Sequence, residues 1–417
     1  MEVSYPIKSV VDKNNATLIG HTRLGKPVYC PDNAKHAFVS GTTGAGKTVL
    51  LSNPIKHAIQ NNIGLLLVDG KGDTGKGSML EIATMFCKEY NRPLYVINMN
   101  APQSSAKYNP LKNASETVAK DMLINMTDWS EPHYKTNTER YIQRVVKCMN
   151  IAKIPLSFNS IVQNMSVDNF ESLSAVLQKG GLITKETHLA NLELIKSSGK
   201  IAEQALARFA TIAESEIGQI FDENGIDIFT ALNSGAVILF VLNPLIFPET
   251  SQALGRLVLI DAKKAVSKLF DCTDSRRSFF IFDEINVYAS TVLIDLINKS
   301  RSAGVTCFCA TQSLADLEAA AGEAFKHQII ENCNNYIVLR QNSFASAEQW
   351  AKTLGTEEKM DMTYQMLQSE ATGMGTARKV REFIIHPDEI KSFRVGEGVF
   401  LSRDTGKCQK FRVNKPF

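Results

Sequence analysis

The chain has 417 residues, with 46 Lys plus Arg against 43 Asp plus Glu, a formal charge of +3. At roughly 150 residues per domain that length predicts two or three domains. A content of 44% hydrophobic and 21% charged residues excludes wholesale disorder, and the small net charge excludes a polybasic nucleic-acid coat, so any such contact must be local.

The longest apolar runs, Gly64 to Val68 and Ala236 to Leu242, fall well short of the roughly 20 residues a membrane helix needs. The start, Met1 to Pro6, lacks the basic and then apolar order of a secretory leader, which predicts a chain that stays in the cytoplasm. Cys307 and Cys309 alternate along an apolar stretch and no C-x-x-C pair occurs, so the cysteines read as reduced, buried thiols rather than a metal site.

In chain order, His21 to Tyr29 reads as a turn between short strands, and Lys35 to Ser40 as a strand entering a glycine-rich loop. Val49 to Asn61 has helical spacing, Gly64 to Val68 is a strand, Gly77 to Tyr90 a helix and Leu94 to Asn98 another strand. Strand and helix alternate, which predicts a parallel α/β sheet. From about Ser115 to Phe221 apolar residues recur at three and four spacings, as in Tyr141 to Met149, which predicts a helical insertion. Alternation resumes with strands at Ala236 to Leu242, Ser278 to Phe282, Val305 to Ala310 and Tyr336 to Arg340, and helices at about Thr250 to Leu269 and Leu293 to Arg301. The end reads as a strand pair, Gly398 to Leu401 and Cys408 to Val413, around the turn at Asp404 to Gly406.

Gly41-Thr42-Thr43-Gly44-Ala45-Gly46-Lys47-Thr48 fits G-x-x-x-x-G-K-[ST] and lies between an apolar strand and a helix, where that motif must lie. Its glycines let backbone N–H groups wrap phosphate, Lys47 reaches the β and γ phosphates, and the Thr48 hydroxyl holds Mg²⁺. Hydrolysis also needs acids that follow an apolar strand. Asp69, with Asp73 beyond it, is one place, and Asp283-Glu284 the other. Only the second offers adjacent carboxylates, so Asp283 is expected to support the magnesium and Glu284 to activate the attacking water; capping of the next helix is the plainer use of the pair. Gln312, which ends the run from Val305, is a candidate to sense the γ-phosphate or place the water, and otherwise a solvated loop residue. Arg340 is a candidate arginine finger reaching across a subunit interface, and otherwise a surface ion-pair partner; Arg301 is a weaker candidate.

The order of these pieces resembles the TraG/TraD type of coupling ATPase of bacterial conjugation and type IV secretion. The resemblance covers most of the chain and rests on Gly41 to Thr48, Val68 to Asp73, Tyr108-Asn109-Pro110-Leu111, Phe282-Asp283-Glu284, Ala310-Thr311-Gln312, Asn332 to Arg340 and Arg381 to Ile390. It implies a RecA-like P-loop motor of the FtsK/HerA group, formed by residues 1–110 and 228–417, with an all-α domain inserted at 111–227. It further implies ATP and Mg²⁺ as cofactors, a hexameric ring, and DNA carried by a relaxase, or effector cargo, passed to a type IV secretion channel at the cytoplasmic face of the inner membrane. Members of that family usually carry N-terminal membrane helices and none stands in these residues, so the expectation is a soluble form or fragment, or an anchor supplied by a partner.

Nucleic-acid contacts are not dictated by the residues. Lys135, Arg140, Arg144 and Lys147, with Trp129, Tyr134 and Tyr141, suit phosphates and stacked bases, and equally an ordinary solvated helix face. Arg378 to Arg381 reads either way, with protection of a strand edge favoured. The leading function is an ATP-hydrolysing DNA motor. The alternatives are a related ring ATPase that assembles the channel or pumps double-stranded DNA, and a cargo-docking receptor that does not hydrolyse nucleotide. A small-molecule kinase fits the P-loop but not the paired acids followed by a strand ending in Gln.

Overall fold

The computed structural model describes residues 15–129, 131–271, 277–367 and 370–417. The chain begins with β1 (Ala16–His21), β2 (Pro27–Pro31) and β3 (Ala37–Ser40), then α1 (Lys47–Gln60), β4 (Gly64–Asp69), α2 (Met79–Glu89) and β5 (Leu94–Asn98). A wholly helical run follows: α3 (Glu116–Asn125), α4 (Pro132–Ile151), α5 (Phe158–Asn164), α6 (Val167–Lys179), α7 (Lys185–Ala213) and α8 (Ile228–Asn233). Alternation returns with β6 (Val237–Val241), α9 (Pro248–Phe270), β7 (Ser278–Asp283), α10 (Thr291–Ser300), β8 (Val305–Thr311), α11 (Leu314–Glu331), β9 (Asn335–Leu339) and α12 (Phe344–Leu354). The last elements are the hairpin β10 (Thr356–Leu367) and β11 (Glu370–Phe383), α13 (Pro387–Ser392), β12 (Glu397–Ser402) and β13 (Lys407–Val413).

Eleven strands form one sheet in the order β2-β1-β13-β12-β9-β3-β8-β7-β4-β6-β5. From β9 to β5 every pairing is parallel, and β12, β13, β1 and β2 extend that sheet with antiparallel pairings. The architecture is thus a mostly parallel α/β sheet flanked by helices, with a helical region added. The parallel strands are covered on both faces, and their residues divide by parity. Leu65, Leu67, Phe279 and Ile281 enter one apolar layer with α1 and α2, while Leu66, Val68, Phe280 and Phe282 enter the other with α9 and α10. Cys307 and Cys309 belong to the second layer as free, buried thiols.

In the helical region Ser115, Ser157, Ser166 and Thr184 each cap a helix by accepting from the backbone N–H three residues on. Tyr141 corrects one expectation. It lies on the apolar stripe of α4 with Ile142, Val145 and Met149, is fully buried, and packs edge to face on Phe170, so it cannot stack on a base. The hairpin also resolves the basic run near its end. Arg378 pairs with Asp361 and Lys379 with Glu358 across the hairpin, both in exposed ion pairs, and Arg381 stands opposite Glu358 in register. Among the described residues no helix is long and apolar enough to cross a membrane.

Candidate functional site

β3 has β8 on one side and β9 on the other, whereas the next strand in sequence, β4, lies beyond β8 and β7. The chain therefore reverses its winding at β3, and a crevice opens at the carboxyl ends of the strands, where ligands of open α/β sheets bind. Gly41 to Gly46 fills that position and α1 starts at Lys47. Gly44 (φ 74°) and Gly46 (φ 104°) both hold backbone conformations that L side chains rarely adopt. A Cβ on Gly41 would meet Leu339 Cβ at 2.8 Å, so the loop is seated directly on β9. The N–H of Gly41 donates to Thr311 O and that of Thr42 to Arg340 O, which ties the loop to both neighbouring strands. From the C-terminal part, the Gly396 N–H donates to Ala45 O at 2.9 Å.

The acids converge here. β4 and β7 each end in an aspartate, and Asp69 and Asp283 are register partners. Asp69 accepts from the N–H groups of Lys71 (2.9 Å) and Gly72 (3.3 Å), yet burial pushes its carboxyl up to about 6. Asp283 is pushed up to about 7, by burial first and then by the charges of Glu284 and Asp69, with Lys47 opposing. Its carbonyl accepts from Tyr288 Oη at 2.9 Å and its Oδ1 from the Glu284 N–H at 3.0 Å.

Glu284 is held at φ 48° and ψ 55°, a left-handed conformation that costs a non-glycine residue about 1–3 kcal/mol and persists only when its surroundings impose it. Gly70 supplies part of that frame, because a Cβ there would lie 2.8 Å from Asp283 O and 2.9 Å from Glu284 O. The turn aims the side chain at the P-loop. Glu284 Oε1 lies 3.2 Å from Lys47 Nζ and accepts from Gln312 Nε2 at 3.1 Å. Lys47 Nζ also donates to Gly41 O at 2.8 Å, and Thr43 Oγ1 donates to Gln312 Oε1 at 3.0 Å. Glu284 Oε2 is buried and has no hydrogen-bond partner among the described residues, a position open to a water or ion.

Lys47, Asp283, Glu284, Gln312 and Thr43 therefore meet at one point, and Asp69, read in the sequence as the rival of Asp283, stands beside it. Equal strand lengths carried that signal, since Gly64–Asp69 and Ser278–Asp283 each run six residues to a terminal Asp. Arg340 leaves the opposite side of β3, beyond β9, with a buried Nε that has no partner among the described residues. Arg301 precedes β8, at the amino-terminal end of a central strand, whereas the site lies at the carboxyl ends. Away from the crevice, Trp129 and Tyr134 meet Ile201, Gln204 and Arg208 around a cavity of about 270 Å³.

Residues 277–394, which include Asp283, Glu284, Gln312 and Arg340, match the model described as the TraM recognition site of TraD and TraG. Residues 277–394 thus form a C-terminal region of the TraG/TraD type. An uncharacterized protein of Mycoplasma pneumoniae (strain ATCC 29342 / M129 / Subtype 1) is 30% identical over 107 residues, 26% of this chain and 71% of that one. The bacterial conjugative coupling protein TrwBdeltaN70 superposes with a TM-score of 0.69 at 15% identity, over 96% of this chain and 89% of its own. The plasmid coupling protein TrwB with ADP and Mg²⁺ gives 0.68 at 16% identity, over 95% and 89%. VirB4 of Thermoanaerobacter pseudethanolicus gives 0.59 at 11% identity, over 97% and 98%. At these identities the likeness is one of fold alone.

Proposed function

We propose that the chain is an ATP-hydrolysing motor that moves DNA, with its relaxase or other cargo, toward a type IV secretion channel. The observation that carries the hydrolytic part is the 3.2 Å approach of Glu284 Oε1 to Lys47 Nζ, which joins a P-loop cation to an acid far along the chain. Both side chains are buried, and the second carboxylate oxygen lacks a partner among the described residues.

In this reading the backbone N–H groups from Gly41 to Thr48 wrap the phosphates of ATP, and Lys47 exchanges Glu284 for the β and γ oxygens. Released from Lys47, Glu284 takes the proton of the attacking water, and Gln312 fixes that water relative to the terminal phosphoryl group. Thr48 and Asp283 would hold Mg²⁺, which when bound neutralises charge on the phosphate oxygens. Residues 1–110 and 228–417 form the motor, residues 111–227 the helical domain that meets cargo or DNA, and copies assemble into a ring with nucleotide between subunits.

The deciding experiment measures ATP turnover with and without single- and double-stranded DNA, alongside mass in solution, for the wild type and Glu284→Gln. Turnover raised by DNA and lowered at least about 100-fold by Glu284→Gln supports the motor. Turnover indifferent to DNA points to a ring ATPase that assembles the channel. Cargo transfer in cells that survives Glu284→Gln, with hydrolysis gone, replaces the motor by a docking receptor.

A further inference from the structure

We infer that the hydroxyl of Thr43, besides its place in the phosphate loop, is the positioning group for the Gln312 amide, and this rests on the hydrolytic reading above. Gln312 follows β8 and is only half-buried, so packing does not select its rotamer. A free glutamine side chain there samples several rotamers and would place a water poorly. Two hydrogen bonds remove that freedom. Its Nε2 donates to Glu284 Oε1 at 3.1 Å and its Oε1 accepts from Thr43 Oγ1 at 3.0 Å. The first bond fixes which end of the amide faces the acid, because an ionised carboxylate accepts only. The second ties the other end to the P-loop itself.

The four side chains then form a closed circuit: Thr43 to Gln312, Gln312 to Glu284, and Glu284 to Lys47, which returns to the loop it left through Gly41 O. When phosphate draws Lys47 away, Glu284 loses one of its two donors. The Thr43 tether then keeps Gln312, and through it the acid, in place. Thr43 is solvent-exposed and packs no core, so its hydroxyl is separable from folding.

Thr43→Val, which keeps shape and removes the donor, should lower kcat about five-fold, the worth of one neutral hydrogen bond, and leave KM for ATP within about two-fold. Thr43→Ser should restore kcat. In a Gln312→Ala background the Thr43→Val change should have no further effect, since coupled residues are not additive. Three results overturn the assignment: an unchanged kcat in Thr43→Val, a rise in KM alone, which makes Thr43 a phosphate ligand only, or full additivity with Gln312→Ala. A wild type that hydrolyses no ATP, or a Glu284→Gln protein with full turnover, removes the hydrolytic reading itself. A silent Thr43→Val beside a dead Glu284→Gln removes only this assignment.

Discussion

Asp69 and Asp283 stand directly opposite each other at the ends of adjacent parallel strands, two buried carboxyls on one sheet edge. Burial pushes the first up to about 6 and the second to about 7, where Glu284 and Asp69 add repulsion and Lys47 opposes it; Lys71 also faces the pair. Both acids therefore keep a proton in the folded chain at pH values where the unfolded chain, with ordinary carboxyls near 4, has lost it. Their contribution to stability is fully present below about pH 4 and is lost as pH rises through 6 and 7. Asp283→Asn, which keeps the shape, should therefore raise the melting temperature of the nucleotide-free protein more at pH 8 than at pH 5. Magnesium-dependent nucleotide affinity should move oppositely in the wild type, rising through the same window as Asp283 ionises. Thermal unfolding of both proteins from pH 5 to 8 checks this, and a difference that does not change with pH contradicts it.

Much of this arrangement could be read in the chain. The strands Gly64–Asp69, Val237–Val241 and Ser278–Asp283 are continuous apolar runs because both faces of a parallel sheet are covered, and each was legible as a strand for that reason. Strand β10 was not, since Thr356-Glu357-Glu358-Lys359 buries no face and its pairing rests on cross-strand charges. Helix α11 was hidden by Gly322, whose φ of 85° breaks the helical spacing midway. At the site, the P-loop and Asp283-Glu284 announce themselves by local pattern. The register of Asp69 with Asp283 and the bond from Thr43 to Gln312 arise only from how distant strands pair.

Arg340 and Glu284 flank the P-loop from opposite sides, since the sheet order is β9-β3-β8-β7. Three strand spacings therefore separate this arginine from its own acid, and the expectation is that it serves a neighbouring subunit's nucleotide. Arg340→Ala should lose about 10³-fold in turnover, and Lys47→Ala should be inactive. Co-expressed, the two variants should regain activity, because mixed assemblies contain interfaces with an intact lysine on one side and an intact arginine on the other. Activity that rises with protein concentration belongs to the same expectation. Mixed assemblies without activity, or a monomer with full turnover, end the assignment in trans.

Where the chain leaves for the helical region and returns, a buried acid ties the passages together. Asp261 of α9, fully buried, accepts from Tyr108 Oη (3.0 Å) and the Ile228 N–H (3.1 Å), and pairs with Lys264 Nζ at 2.8 Å. Asp261→Ala strands a nearly buried ammonium and should cost about 3 kcal/mol in denaturant unfolding. Tyr108→Phe removes one hydrogen bond and should cost about 1 kcal/mol. Equal, small losses in both would make the Lys264 pair irrelevant to the junction.

The cavity of about 270 Å³ in the helical region offers a direct optical test of base contact. Trp129 is fixed by a bond from Nε1 to Ile124 O at 2.7 Å, and the Arg208 guanidinium lies 5.6 Å from its ring centre, itself held by Asp128 O at 3.0 Å. A rigid indole beside a guanidinium and the half-exposed Tyr134 suits an unpaired base, and stacking of that kind contributes about 1–3 kcal/mol per base. The chain has two tryptophans, and the other, Trp350, is fully buried, so quenching by an added oligonucleotide reports on Trp129. Single-stranded DNA should quench that emission more than duplex DNA does, and Arg208→Ala or Trp129→Leu should weaken single-strand binding about ten-fold. Binding that leaves the emission and both variants unaffected would return this helix face to plain solvation.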